Sequence, residues 1–234
     1  MPKIKELPPP PAHPELSPPA TVVGEELVTL PGLDGEPSLE ARVRAPEGAT
    51  RAVLLCHPHP LYGGTMHSAV VLAIAKVLAE RGGDRVATLR FNYRGVGQSA
   101  GSYGKGHGET EDARAAIRAL KLRAPRAKMS VMGYSFGTWV GLRAAAVEGG
   151  VERVALVAPA VRIFDFVKAD ASAFQGKIAI FLGDADDFCD VAEAEELSRE
   201  LGASLQIFAG ADHFFLKSRR KLAEAVLPSI APEA

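Results

Sequence analysis

Residues 128–147 read KMSVMGYSFGTWVGLRAAAV, and this stretch decides the fold. It opens with a short apolar run typical of a buried strand and closes with the length and apolar spacing of a helix. Between the two, Gly133, Ser135 and Gly137 form a G-x-S-x-G pattern, in which the serine occupies a sharp strand-to-helix turn. Such a turn crowds the residues two positions away, so glycines are needed there. The alternative is a serine N-cap between two incidental glycines.

Outward from this turn, short apolar runs alternate with amphipathic stretches, as in α/β proteins. Two alternating runs before them predict an antiparallel edge hairpin. The predicted strands are Val22–Leu30, Leu39–Arg44, Arg51–Cys56, Arg85–Phe91, Lys128–Met132, Val154–Val157, Ile178–Leu182 and Leu205–Phe208. The predicted helices are His67–Glu80, Glu109–Leu122, Phe136–Val147, Val191–Leu201 and Phe215–Leu227. The pattern predicts a doubly wound, mostly parallel, eight-stranded sheet in one domain spanning residues 21–234.

The composition excludes several classes of protein. The chain has 234 residues, 47% of them hydrophobic, and a formal charge of −1, which provides no overall field for nucleic acid or an anionic membrane. No apolar run is long enough to span a bilayer, and the N-terminus lacks the apolar core of a signal peptide. The two cysteines, Cys56 and Cys189, are too few for a secreted disulfide scaffold. We therefore expect a cytoplasmic protein.

The first 20 residues form a proline-rich arm that contains eight of the 17 prolines. Proline cannot donate a backbone hydrogen bond or continue a helix, so the arm is expected to be extended and passive. A partner-binding or dimer-bracing role is the alternative, and a homodimer is left open. On this interpretation the arm lies outside the catalytic unit, and deletion of Met1–Ala20 is expected to leave activity nearly intact.

A serine hydroxyl becomes a good nucleophile when a base accepts its proton and an acid orients that base. In folds that use this serine turn, the acid follows the serine and the histidine comes last. His213 is the only histidine after Ser135 and is therefore the predicted base. The loop after Ile178–Leu182 offers Asp184, Asp186 and Asp187. We favour Asp186, with Asp184 as the alternative.

Acyl transfer also requires donors for the developing oxyanion. The backbone N–H of Phe136 follows the nucleophile and begins a helix, so it is the first predicted donor. The second is expected in the loop His57–Gly64, where the prolines cannot donate. Leu61 is the first candidate and His59 the alternative.

Two other patterns are weighed and set aside. His57 and His59 form an H-x-H pair, but the downstream ligands of a binuclear zinc site are missing, so no metal is predicted. Residues 92–101 contain G-x-G-x-x-A, yet further glycines keep the chain irregular where a dinucleotide-binding helix should begin. A structural turn in which Arg94 and Ser99 tie neighbouring loops together is the better interpretation, and no cofactor is predicted.

Five stretches together resemble the α/β-hydrolase superfamily, and among its members the small bacterial dienelactone-hydrolase-like proteins. They are HPHPLYGGTM at 57–66, NYRGVGQS at 92–99, GYSFG at 133–137, GDADD at 183–187 and ADHFF at 211–215. The resemblance implies a triad of Ser135, Asp186 and His213 and an oxyanion donor at Leu61. Dienelactone hydrolases proper use a cysteine nucleophile, so lactone specificity is not implied. The His-Pro pairs also replace the family's usual His-Gly.

The segment between the sixth and seventh strands, 158–177, is too short for a substantial cap, which favours small or short-chain esters. Phe164, Phe166 and Phe174 in this segment are candidates for an apolar wall beside the triad, although buried aromatic residues more often belong to the core. The predicted substrate-binding residues are Tyr62, Tyr134, Phe164 and Phe214. The predicted activity is carboxylic ester hydrolysis through an acyl-enzyme. An acyltransferase or perhydrolase with the same triad, or a non-catalytic scaffold, is the alternative.

Overall fold

Eight strands form one sheet in the computed structural model, which describes residues 8–11, 17–166 and 173–232. Their bounds are β1 Glu26–Leu30, β2 Leu39–Arg44, β3 Arg51–Cys56, β4 Val86–Phe91, β5 Lys128–Tyr134, β6 Val151–Val157, β7 Lys177–Gly183 and β8 Ser204–Phe208. Predictions that concern residues 1–7, 12–16, 167–172 and 233–234 lie outside the described residues.

The spatial order of the strands is β1-β2-β4-β3-β5-β6-β7-β8. The first two strands pair antiparallel at one edge, and β2 joins β4 antiparallel, whereas β3 to β8 run parallel. The chain moves outward from β3 to β4 and then returns to the other side of β3 to form β5. Such a reversal opens a crevice at the carboxyl ends of the strands, where ligands bind in doubly wound sheets. The predicted fold class is confirmed.

Five helices cover the two faces of the sheet. They are α1 Ala69–Gly82, α2 His107–Arg123, α3 Phe136–Glu148, α4 Val191–Leu201 and α5 Arg219–Ile230. Helices α1 and α5 share one apolar core cluster, while α2 and α3 bury their apolar faces in the other. Among the described residues, no helix is both long and apolar enough to cross a membrane.

Most predicted boundaries agree with the structure to within a few residues, but the last helix begins at Arg219 rather than at Phe215. Phe215 has a φ of 48°, which lies in the left-handed region and cannot continue a right-handed helix. His213 is therefore separated from α5 by a turn. In this turn the amide of Phe215 donates to the carbonyl oxygen of Asp212.

Candidate active site

Ser135 occupies a strained turn between β5 and α3. Its φ of 53° and ψ of −118° lie outside the right-handed helical and extended regions. A Cβ on Gly133 would lie 2.2 Å from the carbonyl oxygen of Gly137, and one on Gly137 would lie 2.4 Å from that of Cys56. Any side chain at either position would therefore collide with backbone, which explains why the sequence has glycine at both.

The hydroxyl of Ser135 does not cap α3, although the residue stands at the N-cap position. Its Oγ lies 3.0 Å from Nε2 of His213, which comes from the turn after β8. The two residues are 78 positions apart in the chain and meet because β5 and β8 end at the same edge of the sheet. The serine oxygen is thus within hydrogen-bond reach of a base and is not used for helix capping.

The other ring nitrogen of His213 faces the loop after β7. Nδ1 lies 2.8 Å from Oδ2 of Asp186, and Oδ1 of the same carboxylate accepts from the amide of Phe188 at 2.8 Å. The Asp186 side chain is fully buried and that of His213 is 8% exposed, so their interaction is shielded from solvent. With Nδ1–H directed at the carboxylate, Nε2 is left to accept the serine proton.

The other two aspartates of this loop are directed elsewhere. Asp184 is exposed, and its Oδ1 accepts from the amide of Gly210 at 2.7 Å, which ties the β7 and β8 loops together. Asp187 is exposed as well. The structure therefore brings Asp186, and not Asp184, to the imidazole of His213.

Three aromatic rings enclose the His213 imidazole. Ring centroids of Phe188, Phe214 and Tyr134 lie 4.7, 5.5 and 5.6 Å from it. The Tyr134 hydroxyl also donates to the His213 carbonyl oxygen at 3.2 Å, and burial raises the pKa of this tyrosine well above its usual range. These rings pack around the imidazole on the sides that do not face Ser135 and Asp186.

The loop after β3 changes the prediction for the second oxyanion donor. The amide of Leu61 donates to Nδ1 of His59 at 3.2 Å inside a short 3₁₀ turn, and Leu61 does not line the cleft beside Ser135. His59 does line it, and its ring lies 4.8 Å from that of Phe136 between centroids. Among the described residues, neither the amide of His59 nor that of Phe136 has a hydrogen-bond acceptor. The geometry thus favours His59 over Leu61, because the Leu61 N–H is already engaged.

The two histidines of the H-x-H pair are hydrogen-bonded within the protein. Nδ1 of His57 lies 2.7 Å from the Pro58 carbonyl oxygen and Nε2 accepts from the amide of Tyr93 at 3.1 Å, while burial lowers the pKa of this histidine to about 3. Nε2 of His59 lies 3.1 Å from the Tyr103 hydroxyl, and burial lowers its pKa to about 4. Both rings are neutral structural groups at neutral pH. Within the described part of the chain, no three His, Cys, Asp or Glu side chains form a metal-binding group.

A cleft of about 390 Å³ lies over Ser135 and His213. All four predicted substrate-binding residues line it, namely Tyr62, Tyr134, Phe164 and Phe214. Phe164 also stacks on Trp139, with ring centroids 5.2 Å apart, so this wall is backed by a second ring. A cavity of this size and lining suits a small ligand with an apolar body.

Two of the three phenylalanines considered for an apolar wall belong to the core, which is the more common place for buried aromatic residues. Phe166 is buried in the core, and Phe174 packs on the core beside Gly176, with neither lining the cleft. Only Phe164 faces the cleft. The positions are set by the turn after β6, in which the amide of Phe164 donates to the carbonyl of Ala160.

The proline-rich arm reaches the cleft, contrary to the expectation that it lies outside the catalytic unit. The Tyr62 hydroxyl donates to the Pro8 carbonyl oxygen at 2.5 Å, and Ser17 lines the cleft. Farther along, the amide of Ala20 donates to Nδ1 of His67 at 3.1 Å. No periodicity in this segment predicts these contacts, because a proline-rich segment is placed by its partners and not by its own pattern.

Phe188 and Arg219 are among the cleft residues that sequence reasoning missed. Phe188 lies two positions after Asp186, and Arg219 lies six after His213, so proximity to the predicted site was a usable signal for both.

The turn of residues 92–101 is structural, as predicted: Arg94 pairs with Asp112 at 2.8 Å, and the Ser99 hydroxyl donates to the Asn92 carbonyl oxygen.

Comparisons with known proteins agree with this architecture. Residues 48–165 match the model of a family described as serine aminopeptidase, S33. An uncharacterized protein of Rickettsia prowazekii is 31% identical over 184 residues, which cover 74% of this chain and 75% of that protein.

Two solved structures are also similar. A serine hydrolase without a lid from Xanthomonas campestris is 30% identical with a TM-score of 0.77, covering 91% of this chain and 96% of that one. A serine hydrolase homologue from Coxiella burnetii is 30% identical with a TM-score of 0.75, covering 92% and 100%.

Proposed function

The chain belongs to the α/β-hydrolase superfamily, and on this basis we propose that it is a serine esterase that cleaves small or short-chain carboxylic esters. One observation carries the proposal: an unbroken series of close contacts runs from Asp186 through His213 to Ser135, at 2.8 and 3.0 Å. It ends at the floor of an apolar cleft. These are the positions that a nucleophile, its base and an orienting acid require.

In the proposed reaction, Ser135 Oγ attacks the ester carbonyl while His213 Nε2 takes its proton. Asp186 holds the imidazole and stabilises the imidazolium that forms. The amides of Phe136 and His59 donate to the oxyanion that develops in the transition state. The alcohol then leaves with the proton from His213, and water, activated by the same imidazole, hydrolyses the acyl-enzyme.

The cleft supports small substrates over long acyl chains. Its volume of about 390 Å³ is near the lower end for ligand pockets, and aromatic rings form much of its lining. A long chain would have to leave this enclosure and expose its methylene groups to water, which removes the gain from burial.

The family's description raises the alternative of peptide hydrolysis from a free N-terminus. An ammonium group bound in an apolar cleft requires a carboxylate partner. None of the described residues that line the cleft is an aspartate or glutamate. The lining therefore favours an ester over an amino-terminal peptide.

The two free thiols are both buried, which supports placing the proposed activity in a reducing cytoplasm. The homodimer remains a prediction.

A panel of 4-nitrophenyl acetate, butyrate, octanoate and palmitate tests the proposal. We expect kcat/KM to be highest for the short esters and Ser135→Ala to lower it at least about 10⁴-fold, since single removal of a nucleophile abolishes the covalent route. Labelling by a fluorophosphonate should disappear in the same variant. Repeating the assay with an alcohol or peroxide acceptor identifies transferase or perhydrolase activity. Full ester turnover by Ser135→Ala would refute the scheme, and a chain that neither labels nor turns over would be a non-catalytic scaffold.

A further inference from the structure

Arg219 is the one permanently charged residue among the described residues that line the cleft. It is the first residue of α5 and is partly buried, and it shares this surface with aromatic rings, glycines and hydroxyl groups. The proposed reaction of neutral esters does not use it. A cation in such a lining loses hydration and has little reason to be there unless an anion meets it.

The guanidinium is oriented but not neutralised. Its Nε donates to the backbone carbonyl oxygen of Phe214 at 3.2 Å, and both residues line the cleft. No described carboxylate forms an ion pair with it. The two remaining NH₂ groups match the two oxygens of a carboxylate in the bidentate geometry that arginine favours.

The next residue in the chain, Arg220, has the carboxylate partners that Arg219 lacks among the described residues. Arg220 is exposed and pairs with Glu80 at 2.7 Å and with Glu224 at 2.8 Å, as surface arginines commonly do. The carboxylate of Asp212, seven residues before Arg219 in the chain, accepts from the amide of Leu216 at 3.0 Å. Asp186 is engaged by His213 and by the amide of Phe188. Asp186 and Asp212 thus have hydrogen-bond partners of their own, and no described carboxylate pairs with the Arg219 head group.

We infer that the substrates are esters that carry a free carboxylate a few atoms from the scissile bond, and that Arg219 binds this carboxylate. The inference rests on the proposed esterase function and specifies its substrate class. The carboxylate-bearing half of the substrate packs beside Phe214, and the aromatic rings enclose the apolar remainder. Recognition of this kind is selective because a neutral ester leaves the arginine desolvated and unpaired.

Matched pairs of esters test the inference. Mono-4-nitrophenyl glutarate and 4-nitrophenyl pentanoate differ chiefly in the carboxylate on the acyl side, and 3-acetoxybenzoate and phenyl acetate differ in it on the alcohol side. The readout is the ratio of kcat/KM for the anionic ester to that for its neutral partner. We expect Arg219→Gln to lower this ratio about 10- to 100-fold in one pair, as for loss of a charge-assisted hydrogen bond. Arg219→Lys should lower it less.

Arg220→Gln is the matched control, since it removes the same charge one residue away and outside the cleft; its ratio should stay within about twofold of the unaltered protein. Raising the salt concentration should lower the ratio of the unaltered protein and not that of Arg219→Gln. If neither Arg219→Gln nor Arg220→Gln lowers the ratio in either pair of esters, the inference is overturned. Equal lowering of the ratio by both variants would overturn it too, because that result would indicate a general electrostatic field and not a contact.

A binding experiment separates this inference from the proposed function. Calorimetry with glutarate and the Ser135→Ala protein requires no turnover. We expect glutarate to bind at least about tenfold more weakly once Arg219→Gln is added. If no ester is hydrolysed but glutarate binding depends on Arg219, the esterase proposal fails and the carboxylate site stands. If esters are hydrolysed and Arg219→Gln does not change glutarate binding, the esterase proposal stands and the carboxylate site fails. Circular dichroism of each variant checks that it is folded.

Discussion

Two buried clusters in this protein each contain a histidine and a carboxylate, yet they are built for opposite purposes. In the first, Nδ1 of His213 faces the carboxylate of Asp186 directly at 2.8 Å. In the second, Arg90 stands between the two groups: its guanidinium pairs with Glu25 at 2.6 Å, and its NH1 lies 3.1 Å from Nδ1 of His67. The side chains of Glu25 and Arg90 are 1% and 0% exposed.

The group opposite Nδ1 determines what each histidine can do. A carboxylate there stabilises the imidazolium, so His213 can take and return a proton during a reaction. A guanidinium and a backbone amide there require a lone pair on Nδ1, so His67 must stay neutral to keep its bonds to Arg90 and Ala20. Burial first, and then the charge of Arg90, lowers the pKa of His67. The first cluster is arranged for proton transfer and the second holds the arm on the sheet.

The largest expected effect comes from removing each histidine. His213→Gln should lower kcat/KM for a short nitrophenyl ester at least about 10⁴-fold, because no other base lies beside Ser135 among the described residues. His67→Gln, with the same change of side chain, should keep kcat/KM within about tenfold. Steady-state kinetics on the two purified variants provide the measurement. Similar losses in both would mean that the comparison between the clusters is wrong.

The next expected effect concerns the acid. Asp186→Asn should lower kcat about 10³- to 10⁴-fold, because an amide stabilises the wrong tautomer of His213 and not its protonated form. Asp187→Asn in the same loop is the control, since that side chain is exposed, and kcat should change less than about twofold. A larger loss of kcat in Asp184→Asn than in Asp186→Asn would reassign the orienting acid.

A third prediction concerns stability. Glu25→Gln leaves the buried guanidinium of Arg90 without its counter-charge and should lower the free energy of unfolding by about 3–5 kcal/mol. The double replacement Glu25→Leu with Arg90→Met removes both charges and should recover much of that loss. Urea unfolding monitored by circular dichroism gives the comparison. Glu25→Gln unfolding at the same urea concentration as the unaltered protein would argue that the pair is not buried in solution.

The smallest expected effect is a dependence of stability on pH. The pKa of His67 is lower in the folded protein than the ordinary value of 6.5, so the unfolded chain binds a proton more readily. This contribution to stability is complete above pH 6.5 and is lost as the pH falls below that value toward the folded pKa. The slope from this one group cannot exceed about 1.4 kcal/mol per pH unit.

His67→Gln should therefore flatten the curve of unfolding free energy against pH between about pH 6.5 and 5, measured by urea unfolding at each pH. His57 also has a lowered pKa and should keep part of the slope in this variant. An unchanged slope in His67→Gln would show that its protonation is not linked to folding.

The sequence was informative where the signal is local. The strand, the serine turn and the helix of residues 128–147 are adjacent in the chain, and the glycine at 133 is required by the backbone of Gly137 in the same turn. His213 was found by elimination, since it is the only histidine after Ser135. The mostly parallel character of the sheet followed from the alternation of strands and helices, whereas the spatial order of the strands came from the structure.

The sequence was least informative where several equivalent groups compete. Asp184 and Asp186 differ by two positions in one loop, and the choice depends on how that loop turns toward β8. Leu61 and His59 are likewise two residues apart, and the 3₁₀ turn that engages the Leu61 amide forms through the His59 side chain. No periodicity distinguishes such neighbours, because each loop is shaped by contacts with other loops.

By itself, then, the sequence determined the sheet-and-helix layout and the strained turn at Ser135, because hydrophobic period and turn motifs are properties of short segments. It also determined the base at His213, because the order of residues along the chain leaves one candidate. Only the tertiary structure decided that Asp186 faces His213, that Ser17 of the arm lines the cleft and that Arg219 stands there without a carboxylate partner among the described residues. These relations join groups distant in the chain. They are set by how the sheet gathers its strand ends and by the burial that makes each unpaired charge costly.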